Sequence, residues 1–441
     1  MLTSSRIGGS GVVVVQTDFD QILETRALST VFQPVVELET SRVVGYEALT
    51  RGPRGSRLES PIALFAYAYR VGRAAELDWV CQAAAIRAAV DAELPRELTL
   101  FLNVEPMALR AECPPDLRDA LEAGLRRLNV VVELTERYLA ADPAGVLNAV
   151  FVARAEGLGV AIDDLGAEPA SLALMPLVRP DVIKLDLRLI QGQPDLLVAR
   201  TMNGVLAEVE RTGAAILAEG IESSRHEATA HAMGASLGQG WLYGRPGPLP
   251  TRWRPTSGSV VPVLRHDPAT LATPFEVVTR ERPTRSADRQ LLRELSKHLE
   301  YRAADPAEPA VLVVCFEDSR FFNAVLADRY TELAKTTLMI AVFGPAMPAA
   351  PAPGVRGTAL PDGDPQSQEW AVVVVGTHFS AALVARRQRS GGPIPREPED
   401  ARYDFAVTYD RDLAIAAARS LVQRIAAPDK NDLLPDPTSS G

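Results

Sequence analysis

The chain has 441 residues, enough for two or three domains at ~100 to 200 residues each, although one (β/α) barrel can use ~250 alone. Its 47% hydrophobic and 23% charged residues suit a folded globular protein, not a disordered or fibrous one. The net charge of −10 argues against a general DNA- or RNA-binding surface, which needs clustered Lys and Arg; Cys81, Cys113 and Cys315 are too few and scattered for a disulfide framework or a zinc site.

In chain order, residues 1–17 form an N-terminal segment whose apolar run from Val12 to Val15 is far shorter than a signal-peptide core or the ~20 residues that span a bilayer. No later segment reaches that length, so no membrane insertion is expected, and the reducing cytoplasm is the expected location. From Val31 to Pro250, short β-branched runs alternate with helical periodicity. Strands are expected at 98–104, 130–134, 159–162, 181–185 and 214–218, with helices at 144–157 and 196–212 among them. Repeated β-then-α units over ~220 residues predict a parallel sheet closed by covering helices, and suit a barrel better than an open sheet. Residues 251–273 turn rich in Pro and Ser and read as a linker. A second α/β pattern fills 274–427. It comprises an amphipathic helix through Leu291, Leu292, Leu295 and Leu299, strands at 310–316, 338–343, 370–375 and 405–409, and helices at 320–335 and 413–425. The Pro- and Gly-rich stretch 345–365 is expected to be a mobile loop, and 428–441 a disordered tail.

Polar residues punctuate the first domain in a fixed order: Gln33, Glu47-Ala48-Leu49 with Arg51, Asn103, Glu133 with Glu136, Asp163-Asp164, Lys184, Glu219 and Gln239. Asn103, Glu133, Asp163, Lys184 and Glu219 fall at the C-terminal ends of expected strands, the rim that carries chemistry in such barrels. Lys184 and Glu219 are accordingly expected at the mouth and outside the packed core. Glu47, Glu133, Asp163, Asp164 and Glu219, five carboxylates gathered there, would repel one another by several kcal/mol per close pair at intermediate dielectric, and bound cations would reverse that sign. With no His or Cys set beside them, oxygen ligands favour magnesium or manganese. Two such ions ~3.5 to 4 Å apart can clamp an anionic substrate and activate water.

Taken together, Glu47-Ala-Leu, Asn103, Glu133-Leu-Thr-Glu136, Asp163-Asp164, Lys184-Leu-Asp186, Glu219-Gly-Ile-Glu222 and Gln239-Gly240 resemble the EAL family of phosphodiesterases, which linearise cyclic di-GMP. The resemblance covers roughly 18–250 and implies a modified TIM (β/α)8 barrel that hydrolyses cyclic di-GMP to pGpG with two Mg2+ or Mn2+ ions. It implies that Glu47, Asn103, Glu133 and Asp163 hold the first ion, and Asp163, Asp164 and Glu219 the second. Lys184, Glu219 and Asp164 become the catalytic set, with Glu219 accepting the water proton. Gln33, Leu49, Arg51 and Gln239 become substrate contacts, and Glu136 braces the loop after Asp163-Asp164. A homodimer formed through the barrel is also implied.

One departure stands in that loop. Where the family usually has Phe-Gly-Thr-Gly-Tyr-Ser-Ser-Leu, this chain reads Leu165-Gly-Ala-Glu168-Pro169-Ala-Ser-Leu172, which removes a flexible Gly and an amide donor. Two readings follow: a phosphodiesterase regulated by its C-terminal domain, or a weak or inactive cyclic di-GMP receptor that signals through a protein partner. Residues 274–427 resemble the DICT sensory domain, chiefly in the run from Val311 to Arg320. The resemblance implies a sensory ligand or protein partner that the residues do not name. Cys315, in an apolar strand pattern, reads as a buried core thiol.

Overall fold

A computed structural model describes residues 10–166, 169–253, 261, 272–306, 308–388 and 401–425, without the side chains of 10–17, 140, 169 and 170. The tail at 428–441, most of the expected linker, and Ala167 and Glu168 of the altered loop lie outside these residues.

Eight strands close into a barrel: β1 (Ser29–Glu37), β2 (Arg42–Arg51), β3 (Thr99–Asn103), β4 (Asn129–Thr135), β5 (Gly159–Leu165), β6 (Val182–Leu185), β7 (Ala215–Ala218) and β8 (Leu237–Gln239). β1 runs antiparallel to both its neighbours, β2 and β8, while the pairs from β2 to β8 are parallel. A hairpin therefore replaces the first βα unit, which is the modification of the (β/α)8 plan. Strands covered on both faces read as continuous apolar runs, as in Val130-Val-Val132, and not as alternation. Helices such as Ala74–Asp91, Pro143–Ala155 and Leu196–Thr212 cover the outside. The last starts where Asp195 accepts the Val198 N–H at 2.8 Å, a side-chain cap on an otherwise unpaired donor.

Inside the barrel, Val35, Val44, Phe101, Val131, Ala161, Val182, Leu217 and Leu237 fill an apolar layer. Val261, within the expected linker, packs into the same layer and is 2% exposed. Close by in sequence, Trp253 donates its indole N–H to the Ala92 carbonyl at 2.8 Å.

The second unit is a seven-stranded sheet in the order β12-β11-β10-β13-β14-β15-β9. Its strands are β9 (Arg285–Asp288), β10 (Val311–Cys315), β11 (Met339–Pro345), β12 (Val355–Leu360), β13 (Glu369–Val375), β14 (Ser380–Arg387) and β15 (Arg402–Thr408). β12 corrects the expectation of a loop at 345–365. It is an edge strand paired in parallel with β11, and the Pro-rich turn before it bonds back through Gly357 N–H to Ala349 O at 2.7 Å. Proline belongs beside an edge strand, so composition alone hid this one. Helices Arg289–Ala303 and Ala324–Leu333 pack on one face of the sheet, and Arg411–Val422 on the other. That last helix merges with the barrel's outer core. Arg419 Nη1 donates to Leu177 O at 3.3 Å, and Asn148 Nδ2 donates to Ile425 O at 3.4 Å. Cys315 is buried and its thiol is pushed up by that burial.

Candidate active site

Side chains on one face of a strand recur every second residue, and one such step turns the apolar barrel layer into a polar one. Phe101 leads to Asn103, Val131 to Glu133, Ala161 to Asp163, Val182 to Lys184, Leu217 to Glu219 and Leu237 to Gln239. In β1 the direction is reversed, so Val35 leads back to Gln33. Register aligns the layer: Gln33 pairs with Glu47, and Asn103 with Glu133. In β2 the interior position two before Glu47 is Gly45, where a Cβ would lie 2.5 Å from Thr99 O and 3.0 Å from the Phe101 ring. Glycine leaves that space to Phe101. At the far end of the layer, Gly240 has φ +158°, and a Cβ there would meet Ile221 O at 2.1 Å.

At the centre stands Lys184, only 1% exposed, which corrects the expectation that it sits outside the core. Its ammonium lies 2.8 Å from Glu133 Oε1, Asp163 Oδ1 and Glu219 Oε1, and 3.7 Å from Glu47 Oε1. Four carboxylates around one cation leave a negative cluster. Burial pushes the Glu133 carboxyl well above its ordinary range, with Glu47 and Asp163 adding to the rise and Lys184 opposing it. Burial also raises Glu219 to about 8, reinforced by Asp163 and opposed by Lys184. Glu47 is likewise buried, yet Lys184, Gln239 and Asn103 hold it below the usual range. Its Oε1 accepts from Asn103 Nδ2 at 2.8 Å and its Oε2 from Gln239 Nε2 at 2.6 Å. Gln239 also donates to Gln33 Oε1 at 3.2 Å, which ties β8, β1 and β2 together.

Strict alternation would send Asp164 to the opposite face from Asp163. Instead the β5–β6 register shifts between Ile162 and Leu165, and Asp164 takes a left-handed φ of +58°. Aspartate tolerates that conformation better than most residues, and the bulge re-aims the side chain. One ligand oxygen from each of Asp163, Asp164 and Glu219 then lies within 4.8 Å of the others. Next along, the Gly166 N–H donates to Glu136 Oε2 at 3.1 Å, linking the loop to the start of the helix after β4.

The arrangement fits hard cations. Glu133 Oε2 is buried and has no hydrogen-bond partner among the described residues, an expensive condition unless a cation or water completes it. The donor set is oxygen throughout, as magnesium and manganese prefer.

A cavity of about 470 Å³ opens outward from Glu47, Asn103 and Glu133 past Leu49 and Arg51. Its outer wall comes from Ile62, Phe65 and Tyr69 of the helix Pro61–Arg70 and from Glu105, Arg137 and Tyr138. The Tyr69 hydroxyl is hydrogen-bonded to Glu105 and to Tyr138. Below it, burial pushes the Asp78 carboxyl well above its ordinary range. This wall is not legible in the sequence, because its members lie far apart in the chain and share no motif. The one available signal is that Glu105 and Tyr138 each follow a motif residue, Asn103 or Glu136, by two positions.

A family model described as EAL domain matches residues 16–246, and one described as "Sensory domain in DIguanylate Cyclases and Two-component system" matches 270–388. The chain is 29% identical over 234 residues to the cyclic di-GMP phosphodiesterase RocR of Pseudomonas aeruginosa, covering 51% of this chain and 59% of the relative. It is 29% identical over 230 residues to the probable cyclic di-GMP phosphodiesterase PdeB of Escherichia coli, covering 51% and 43%. It spans from 32% to 59% of the length of these and two other curated relatives. Among solved structures, it is similar to the manganese and cyclic di-GMP complex of Klebsiella pneumoniae BlrP1 at pH 9.0. The identity is 28%, with 50% of this chain and 56% of that one covered and a TM-score of 0.43.

Proposed function

The chain belongs to the EAL domain family, and on that premise we propose that it hydrolyses cyclic di-GMP to linear pGpG in a metal-dependent reaction regulated by its C-terminal domain. The observation that carries this reading is the polar layer, in which one buried ammonium balances only part of the charge on the carboxylates around it. Glu47, Asn103, Glu133 and Asp163 would hold one magnesium or manganese ion, and Asp163, Asp164 and Glu219 a second. When bound, the ions supply positive charge for phosphate oxygens and acidify water.

The chain's own groups do the rest. Gln33, Leu49, Arg51 and Gln239 would seat the substrate, Arg51 offering a planar charged fork to phosphate oxygens. Glu219 would accept the proton of the attacking water as its oxygen bonds to phosphorus. The bond from phosphorus to the 3′ oxygen breaks, and that oxygen is protonated from solvent, leaving a 5′-phosphate and a 3′-hydroxyl. Lys184 would hold the carboxylate ring in register and offset negative charge at the phosphate. Glu136 would brace the loop carrying Asp164 through the Gly166 N–H.

Regulation has a physical route. The C-terminal helix Arg411–Val422 touches Leu177 of the short helix Met175–Val178, a few residues beyond that loop. We place the protein in the cytoplasm as a homodimer through the barrel; light scattering of the purified chain tests the latter. Among the described residues no helix is long and apolar enough to cross a membrane.

The 441-residue chain incubated with cyclic di-GMP and manganese, with products separated by chromatography, tests the reading. Tight binding without turnover would favour the receptor alternative, to which the Glu168-Pro169 substitution in the loop points.

A further inference from the structure

A second cavity, about 690 Å³, lies in the C-terminal unit between the helix Arg289–Ala303, the carboxyl end of β10 and the face of β13 that turns away from the barrel. That volume is within the usual ~300 to 1,000 Å³ of small-molecule sites. Its apolar walls include Val314, Phe316, Phe321, Leu326 and Trp370. On the helix, Arg289, Arg293, Ser296, Lys297 and Glu300 recur at intervals of three and four, so one helical face turns a polar stripe into the cavity. Three of these are buried: Arg289 at 8% exposed, Ser296 at 4% and Glu300 at 4%. A polar stripe facing the interior of a domain is costly unless something completes it.

The individual groups indicate what would complete it. Ser296 Oγ has no hydrogen-bond partner among the described residues. The Arg289 guanidinium stacks 3.5 Å over the Phe321 ring and 5.5 Å from that of Trp370. Its polar contacts to Glu317 Oε1 and Tyr403 OH are both 3.4 Å, longer than the ~2.7 to 2.9 Å of a good charge-assisted bond. Neither acid in the cavity wall is spare. Glu300 bonds Arg329 at 2.6 Å and the Tyr330 hydroxyl at 2.9 Å, and Glu317 accepts from the Tyr403 hydroxyl at 2.6 Å. At the rim, Lys297 pairs with Glu294 in an exposed bridge of the weak kind that another anion easily replaces, and the exposed Arg320 guanidinium, though forked onto both oxygens of Asp318, adds positive charge beside it.

We infer that this cavity binds a small planar aromatic anion, its ring against Trp370 and Phe316 and its charge on Arg289, with Ser296 donating or accepting one further bond. β13 would carry occupancy to the barrel side, because Trp370 and Val372 face the cavity whereas Ala371 and Val373 pack with the helix Arg411–Val422.

The test uses the full chain and two dyes with one N-phenyl-1-naphthylamine skeleton, the anionic 8-anilinonaphthalene-1-sulfonate and the uncharged N-phenyl-1-naphthylamine, titrated by fluorescence. The anion should bind at one site at least ten-fold tighter than the neutral dye. Arg289→Leu should remove that preference while leaving the neutral dye's affinity within two-fold. The double variant Lys297→Glu, Arg320→Glu changes only rim residues and should weaken the anion at least three-fold, so a folding defect in Arg289→Leu leaves the decision with it. Equal affinity for the two dyes, or an anion affinity unchanged within two-fold in the rim variant, overturns the inference.

Discussion

Among the described residues Lys184 is the one cation inside a ring of acids, so its loss has two separable effects. Lys184→Met should lower turnover on the order of 10²- to 10³-fold, the scale for one preorganised charge near a reacting group. It should also lower the melting temperature of metal-free protein, since removing one member of a buried ion cluster costs about 3 to 5 kcal/mol. Manganese should recover part of that melting temperature and none of the activity, a pattern that differential scanning fluorimetry with a parallel assay would show. Asp164 behaves differently because its cost is in the backbone. Asp164→Gly relieves the φ of +58° while deleting a carboxylate, so stability should hold or rise as turnover falls at least 100-fold. A drop in both would place Asp164 among the residues that hold the fold. The types and order of these residues were legible in the sequence; the burial of Lys184 was not, because strand ends alone do not say how far the polar layer lies below the rim.

At the level of elements, the site is one interior layer displaced by two residues from an apolar one. That regularity makes Gly45 a structural requirement of Glu47. Gly45→Ala forces a Cβ to 2.5 Å from Thr99 O, and overpacking of this kind costs about 1 to 3 kcal/mol. Its melting temperature should fall more than that of the exposed control Glu97→Ala, and turnover should fall as Glu47 shifts. β3 to β7 were legible because each is a short, mainly apolar run between helical patterns. β1, β2 and β8 were not individually legible: a Pro lies within β1, and β8 has three residues, Leu237-Gly-Gln239. The β5 bulge was also invisible, since Asp163-Asp164 reads as two neighbours pointing opposite ways until the register is known. In the second unit, β12 was hidden by flanking Pro and Gly, and β9 by its charged sequence Arg-Ser-Ala-Asp.

Across the whole molecule, the C-terminal sheet and the barrel share one packed cluster through the helix Arg411–Val422. Arg419 lies in that junction, where burial and the neighbouring Arg179, Arg211 and Arg154 lower its pKa to about 10. Arg419→Ala should loosen the junction, and hydrogen exchange should speed up in Met175–Val178 with no change in the barrel strands. Unaltered exchange there would remove the proposed route from the second unit to the Asp164 loop. No part of this junction was legible in the sequence, because it joins apolar faces from residues more than 200 positions apart. Whether the polar layer is a metal-dependent phosphodiesterase centre is decided by following cyclic di-GMP with the 441-residue chain in manganese, then in excess EDTA, then after manganese is restored. Conversion to pGpG should proceed, stop and resume; hydrolysis that persists in EDTA with stray metal excluded, or no hydrolysis under any of the three conditions, would show that the layer is not such a centre.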